Sequence, residues 1–167
     1  MAGEGSLQTL AQVAIALAGF GSLLVVLRRD PTSSWSAGES GDLLVVVGGS
    51  LLVLFFSLLP LPVFYLGPSE AAVWRLSSAL LAVALAITYW VVLRRRRQLH
   101  RAGLRPSFPK ISRAIAQLPL VLVVVLAANA ANAFGSAGAG TYLLALVLML
   151  GASSFPLVAM VLRLGAE

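Results

Sequence analysis

A few polar side chains that could bind or conduct a solute lie inside long apolar runs. Gln8 and Gln12 stand one helical turn apart in the first run. Asn129 and Asn132 are three residues apart among alanines, and Arg75 lies near the start of another run. Within a membrane, such side chains either hydrogen-bond between helices or line a cavity that a polar solute can enter.

Groups that carry catalysis inside a membrane are missing from these apolar runs. The runs contain no Asp, Glu or Lys, and the chain has no Cys and a single His, His100, in a basic stretch. Proton relays in membranes use carboxylates, and zinc or haem sites use His and Cys. We therefore predict that the protein is not an enzyme and holds no cofactor and no metal.

Five apolar segments are long enough to cross a bilayer. A hydrocarbon core about 30 Å thick needs about 20 apolar residues in a helix. The segments are apolar on all sides, whereas the strands of a membrane barrel would alternate in polarity. The sequence therefore predicts an all-α integral membrane protein with a single transmembrane domain, residues 1–167. Its spans are 7–27, 43–66, 71–93, 114–134 and 141–162.

The positive charges predict the orientation of these spans. With five spans, eleven of the twelve Lys and Arg residues fall on one side, and only Arg75 falls on the other. Lys and Arg stay in the cytoplasm, so the N-terminus is expected outside and the C-terminus inside. A re-entrant first helix would leave the other four spans unchanged.

Residue usage rich in Ala, Gly, Leu, Val and Arg, with one Lys, is typical of GC-rich bacteria and indicates a bacterial inner membrane.

The loop predicted at 94–113 carries most of the positive charge. Beside membrane-length apolar segments, anionic lipid headgroups are the nearest counter-charge, so we predict lipid binding and no nucleic-acid partner. The lipid-binding residues are Arg94, Arg95, Arg96, Arg97, Arg101, Arg105, Lys110 and Arg113.

Local signals predict where some of the helices begin, bend or end. Pro60 and Pro62 each remove a backbone donor, which predicts a kinked or unwound end to the second span. Ser69 is the expected N-cap of the third span. The segment 151–156, which ends in a proline, predicts an interruption in the fifth.

The predicted topology brings the polar side chains to one depth. Five of them are expected in the outer half of the bilayer: Gln8, Gln12, Arg75, Asn129 and Asn132. They either line a cavity or form structural hydrogen bonds between helices. We expect a homo-oligomeric channel or passive permeation protein with a polar, amide-lined outer cavity. The alternative is a non-catalytic accessory subunit of a larger membrane complex.

Overall fold

The computed structural model describes residues 3–27, 37–101 and 111–164, and the elements in these ranges are all helical. Five helices are long and one is short. They are α1 (Glu4–Leu27), α2 (Ala37–Leu58), α3 (Pro60–Tyr65), α4 (Glu70–Arg101), α5 (Ile111–Ala130) and α6 (Gly138–Leu164), with a single 3₁₀ turn at Gly135–Ala137 before α6. The all-α prediction is confirmed for the described ranges.

Four helices are long and apolar enough to cross a membrane, as in a membrane protein. Their apolar stretches are Glu4–Leu23, Val45–Tyr65, Glu70–Arg94 and Gly138–Pro156. In α5 the corresponding stretch, Gln117–Ala130, is shorter. Many large apolar side chains are more than two-fifths exposed, including Phe55, Ile87 and Val124. So wide an apolar surface suits lipid better than water.

Prolines interrupt the second predicted span at the position where the sequence predicts a break. The α2 helix ends at Leu58, Leu59 forms a turn, and Pro60 opens α3. Pro60 and Pro62 cannot donate to the carbonyl groups one turn earlier, so the regular hydrogen-bond ladder stops there. The prediction of a break is confirmed.

The fifth predicted span, in contrast, has no interruption. The α6 helix runs unbroken through Pro156, so the prediction of a break there is wrong. The hydroxyl of Ser153 donates to the Met149 carbonyl and that of Ser154 to the Gly151 carbonyl, which adds local polar contacts near the proline. Membrane helices tolerate prolines in their interior, so Pro156 does not end α6.

The basic segment is more helical than predicted. The α4 helix has 32 residues and continues to Arg101, so the first part of the predicted 94–113 loop is helix. Arg113 lies within α5. The length of an apolar run predicts where a helix leaves the bilayer, but not where the helix ends. Arg, Gln and Leu are all good helix formers, so α4 continues beyond its apolar run.

The chain forms two compact units, and their boundary falls at the α2–α3 break and within α6. One unit covers Gly3–Leu59 and Leu146–Glu167, and the other covers Pro60–Ala145. In the first, α1 packs on α2, with Leu7, Ala11 and Ala14 buried on α1. The prediction of a single transmembrane domain stays a prediction.

Glycine permits a close helix contact in that first unit. A Cβ on Gly49 of α2 would overlap the hydroxyl of Ser153 and lie 2.9 Å from its Cβ, a separation that real side chains do not reach. The neighbouring Gly48 has open space at the same position. Small residues at such contacts let helix backbones approach closely.

In the unit Pro60–Ala145, α4 and α5 pack along each other and α3 packs on α4. The core consists of apolar side chains of α4, α5 and the first turns of α6. Leu81, Leu126 and Tyr142 are fully buried there. This unit holds the candidate site.

Candidate functional site

The start of α4 lies at one end of the unit Pro60–Ala145 and is fixed by the predicted cap. The hydroxyl of Ser69 accepts a hydrogen bond from the Ala72 backbone N–H at 3.4 Å, and the Ser69 carbonyl accepts one from Val73 at 3.0 Å. Glu70 follows in the first turn, where a carboxylate interacts favourably with the helix dipole. The cap prediction is confirmed, and it sets the position of Arg75 one turn later.

The end of α5 is a tight left-handed cap that the sequence reading missed. The Ala133 N–H donates to the Ala128 carbonyl and the Asn132 N–H to the Asn129 carbonyl, both at 2.9 Å. Asn132 has φ of 67°. This is the Schellman pattern, in which Asn is one of the few residues that accept a left-handed backbone. The predicted helix end at 134 is therefore wrong, because α5 stops at Ala130 and Asn132 lies beyond it.

Asn129, by contrast, is buried and joins three helices. Its side chain is 3% exposed. The Nδ2 group donates to the hydroxyl of Ser78 on α4 at 2.8 Å and to the carbonyl of Gly138 on α6 at 2.9 Å. Both amide donors are thereby used within the protein.

A cavity of about 270 Å³ opens where these three helix ends meet. Asn129 lies on its wall, and the indole of Trp74, 5% exposed, packs on the buried ring of Tyr142 with centroids 5.7 Å apart. The cavity combines one cation, one carboxylate, two amides, an aromatic wall and small residues. Its lining is Glu70, Ala71, Trp74, Arg75, Asn129, Asn132, Gly135, Gly138 and Ala139.

Two polar groups on this cavity remain available to a solute. Arg75 is exposed and makes no hydrogen bond or ion pair with any residue that the structure describes. The Oδ1 atom of Asn129 accepts no hydrogen bond from the described residues and lies near Gly138, where an added Cβ would approach it to 3.1 Å. The site therefore offers a fixed positive charge and a separate acceptor.

The structure brings together three of the five predicted cavity residues. Arg75, Asn129 and Asn132 line one cavity. Gln8 and Gln12 are exposed on α1 and belong to the other unit. The role of all five as a solute pathway stays a prediction.

Other cavity features were not singled out from the sequence. The sequence predicts no role for Trp74 and no contact of Asn129 with Ser78 or Gly138. The adjacent serines Ser77 and Ser78, inside an apolar run, were the available signal for a polar contact between helices. Their pairing partner lies 51 residues away in the chain, so spacing alone could not identify it.

The predicted lipid-binding residues are distributed over a helix end and the segment after it. On α4, Arg94 lies over the ring of Trp90, with the guanidinium carbon 4.8 Å from the ring centroid, and Arg97 is exposed. Lipid binding stays a prediction. Of the other residues, Arg95, Arg96 and Arg101 lie within α4, Arg113 lies within α5, and Arg105 and Lys110 fall outside the described ranges.

Across 3–27, 37–101 and 111–164, the structure contains no cluster of three or more His, Asp or Glu side chains that could hold a metal ion. No protein-family model, curated protein or solved structure matches this chain.

Proposed function

We propose that the protein is a multi-pass protein of the bacterial inner membrane that acts as a homo-oligomeric channel or passive permeation protein. The cavity beside Arg75 serves as its outer vestibule, with the N-terminus outside and the C-terminus in the cytoplasm. One observation carries the proposal: the ends of α4, α5 and α6 converge on a polar cavity next to the apolar core of their unit. A polar solute enters a membrane protein only where polar groups replace its hydration.

The deeper packing of the same unit supports a path between copies of the chain. One and two turns before Asn129 in α5, the buried side chains are Leu126 and Leu122. On α4, Leu81 and Leu85 are buried. These leucines close the polar route within the described part of this unit. A conducting path that starts at the cavity therefore continues along an interface between subunits, which is why the proposal includes a homo-oligomer.

Solute flux into liposomes tests the proposal. The purified chain is reconstituted, and stopped-flow light scattering follows volume recovery after an osmotic step with small polar solutes. We expect faster recovery than in protein-free vesicles and slower recovery with Arg75→Gln. The matched control is Arg94→Gln, which removes an exposed arginine far along the same helix. A strict monomer in nanodiscs, together with flux equal to that of empty vesicles, would refute the proposal.

Orientation is testable because the natural chain lacks cysteine. A single cysteine at the exposed Ala133 or at the exposed Gln98 provides one reporter at each end of the helices. A membrane-impermeant maleimide should label Ala133→Cys in spheroplasts, and should label Gln98→Cys only after the membrane is permeabilised. The opposite pattern would invert the proposed topology.

The exposed basic end of α4 favours a second candidate, an accessory subunit of a larger membrane complex. Arg97 and Gln98 are presented on a continuous helix, where an acidic partner could contact them. Purification from native membranes in mild detergent distinguishes the candidates. A stoichiometric partner protein that is lost in Arg97→Glu would favour the accessory subunit, and a homo-oligomer alone would favour the channel.

A further inference from the structure

We infer that the cavity beside Arg75 binds a small organic carboxylate that also carries a hydrogen-bond donor, as a hydroxy acid or an amino acid does. This inference names the solute of the proposed vestibule and so rests on the proposed function.

The carboxylate end of the solute is assigned to Arg75. Its guanidinium lines the cavity, is exposed, and has no ion pair or hydrogen bond within the described part of the chain. A guanidinium presents a planar fork of donors that matches a carboxylate with two parallel hydrogen bonds. Asn132 is also exposed on this cavity and can add an amide donor. Both groups favour an anionic oxygen.

The hydrogen-bond donor of the solute is expected to bind the side-chain oxygen of Asn129. Its two N–H bonds are held by Ser78 and Gly138, which fixes the carboxamide and leaves Oδ1 as an acceptor. Because Asn129 lines the cavity, this oxygen is an acceptor to which a donor group of a ligand can bind.

The size and the wall of the cavity restrict the solute further. A volume of about 270 Å³ corresponds to roughly nine water molecules at the density of the liquid. A three-carbon acid fits with some water. The indole of Trp74 forms an apolar side, held in place by Tyr142. A simple inorganic anion would bind Arg75 but leave the Asn129 acceptor unused.

Trp74 provides a direct readout of binding. The chain has three tryptophans, so the double variant Trp35→Phe with Trp90→Phe leaves Trp74 as the only indole. The full chain with these changes is placed in nanodiscs and titrated with propionate, lactate and alanine, which share a three-carbon skeleton. Lactate adds a hydroxyl donor to propionate, and alanine adds an ammonium donor.

We expect saturable changes in Trp74 emission with lactate or alanine. Lactate should bind roughly two- to tenfold more tightly than propionate, as one added neutral hydrogen bond implies. Arg75→Gln should weaken this binding by roughly 10- to 100-fold, because it removes a charged hydrogen-bond partner. Thr88→Val, which changes an exposed side chain farther along the same helix, should leave it unchanged. The tighter of the two ligands identifies the donor as hydroxyl or ammonium.

Three results would overturn the inference: equal affinity for propionate and both donor-bearing ligands, unchanged binding in Arg75→Gln, or displacement of the ligand by chloride at an equal concentration. Flux measurements on the same three solutes separate this inference from the proposed function. Binding without flux would reject permeation while preserving the site. Flux that does not discriminate among the three, together with absent binding, would reject the site while preserving permeation.

Discussion

The side-chain hydrogen bonds of Asn129 are expected to stabilise the unit Pro60–Ala145 by a measurable amount. Asn129→Leu replaces the carboxamide with an apolar group of similar size and removes the bonds to Ser78 and Gly138. Ser78→Ala removes only one of them. The two variants and their combination form a double-mutant cycle, in which the non-additive part of the destabilisation measures the Asn129–Ser78 bond.

The expected magnitude follows from hydrogen bonds between membrane helices, which average about 0.6 kcal/mol and reach about 1.7 kcal/mol. Asn129→Leu should therefore lower the free energy of unfolding by about 1.2 kcal/mol or more, since two bonds are lost. The coupling to Ser78 should be about 0.6–1.7 kcal/mol, since the bond is short, at 2.8 Å, and buried.

Unfolding of the purified chain by SDS in mixed micelles, followed by tryptophan fluorescence, gives these free energies. Thr88→Val is the matched control on the same helix, because it removes a hydroxyl that donates only to the Ala84 carbonyl of its own helix. Its coupling with Asn129→Leu should be zero within error. If Asn129→Leu and Ser78→Ala are additive to within about 0.3 kcal/mol, the hydrogen bond between Asn129 and Ser78 is refuted.

Three further predictions concern backbone positions. Gly49→Ala should cost about 1–3 kcal/mol by overpacking against Ser153, whereas Gly48→Ala should be nearly neutral, as SDS unfolding will show. Asn132→Gly should preserve the end of α5 because glycine accepts its φ of 67°, while Asn132→Ala should lower stability by about 1 kcal/mol. Gly67→Ala, at φ of 94°, should likewise cost about 1 kcal/mol, measured by the same assay.

Specific results would contradict these predictions. Ser153→Gly should relieve most of the cost of Gly49→Ala, so a cost that persists would mean that Ser153 is not the neighbour in contact. If Asn132→Gly and Asn132→Ala are equally stable, Asn132 does not hold a left-handed backbone. Asn132→Gly removes the side-chain amide but keeps the left-handed backbone. It is therefore the better variant for testing the amide in flux and binding measurements.

Local chemistry explains which parts of the fold could be predicted from sequence. Pro60 and Pro62 remove donors, and Ser69 can cap a helix whatever packs around it, so the break after α2 and the start of α4 were both predicted. The end of α5 was missed because a left-handed Asn132 leaves no trace in apolar periodicity. The length of α4 was missed because hydropathy reports the membrane boundary and not the helix boundary.

The candidate site was predictable only in part, for a physical reason. Depth along a helix can be counted from sequence, and this placed Arg75, Asn129 and Asn132 together. Which helices are neighbours depends on tertiary packing, and counting depth could not show that α1, with Gln8 and Gln12, belongs to a separate compact unit. The hydrogen bond from Asn129 to Ser78 also depends on which helices are neighbours, so it could not be predicted from depth along a helix.

The length of α4 has a further consequence for how the protein meets the cytoplasmic membrane surface. A helix of 32 residues is about 48 Å long, whereas the hydrocarbon core is about 30 Å thick. In the proposed topology, the backbone at Arg94 emerges near the headgroups and that at Arg101 lies about 10 Å farther along the axis. That distance is close to one Debye length at physiological salt. Successive arginines therefore sample a falling surface potential, so the contribution of each to membrane attachment should decrease, and its sensitivity to salt should increase, toward the end of the helix.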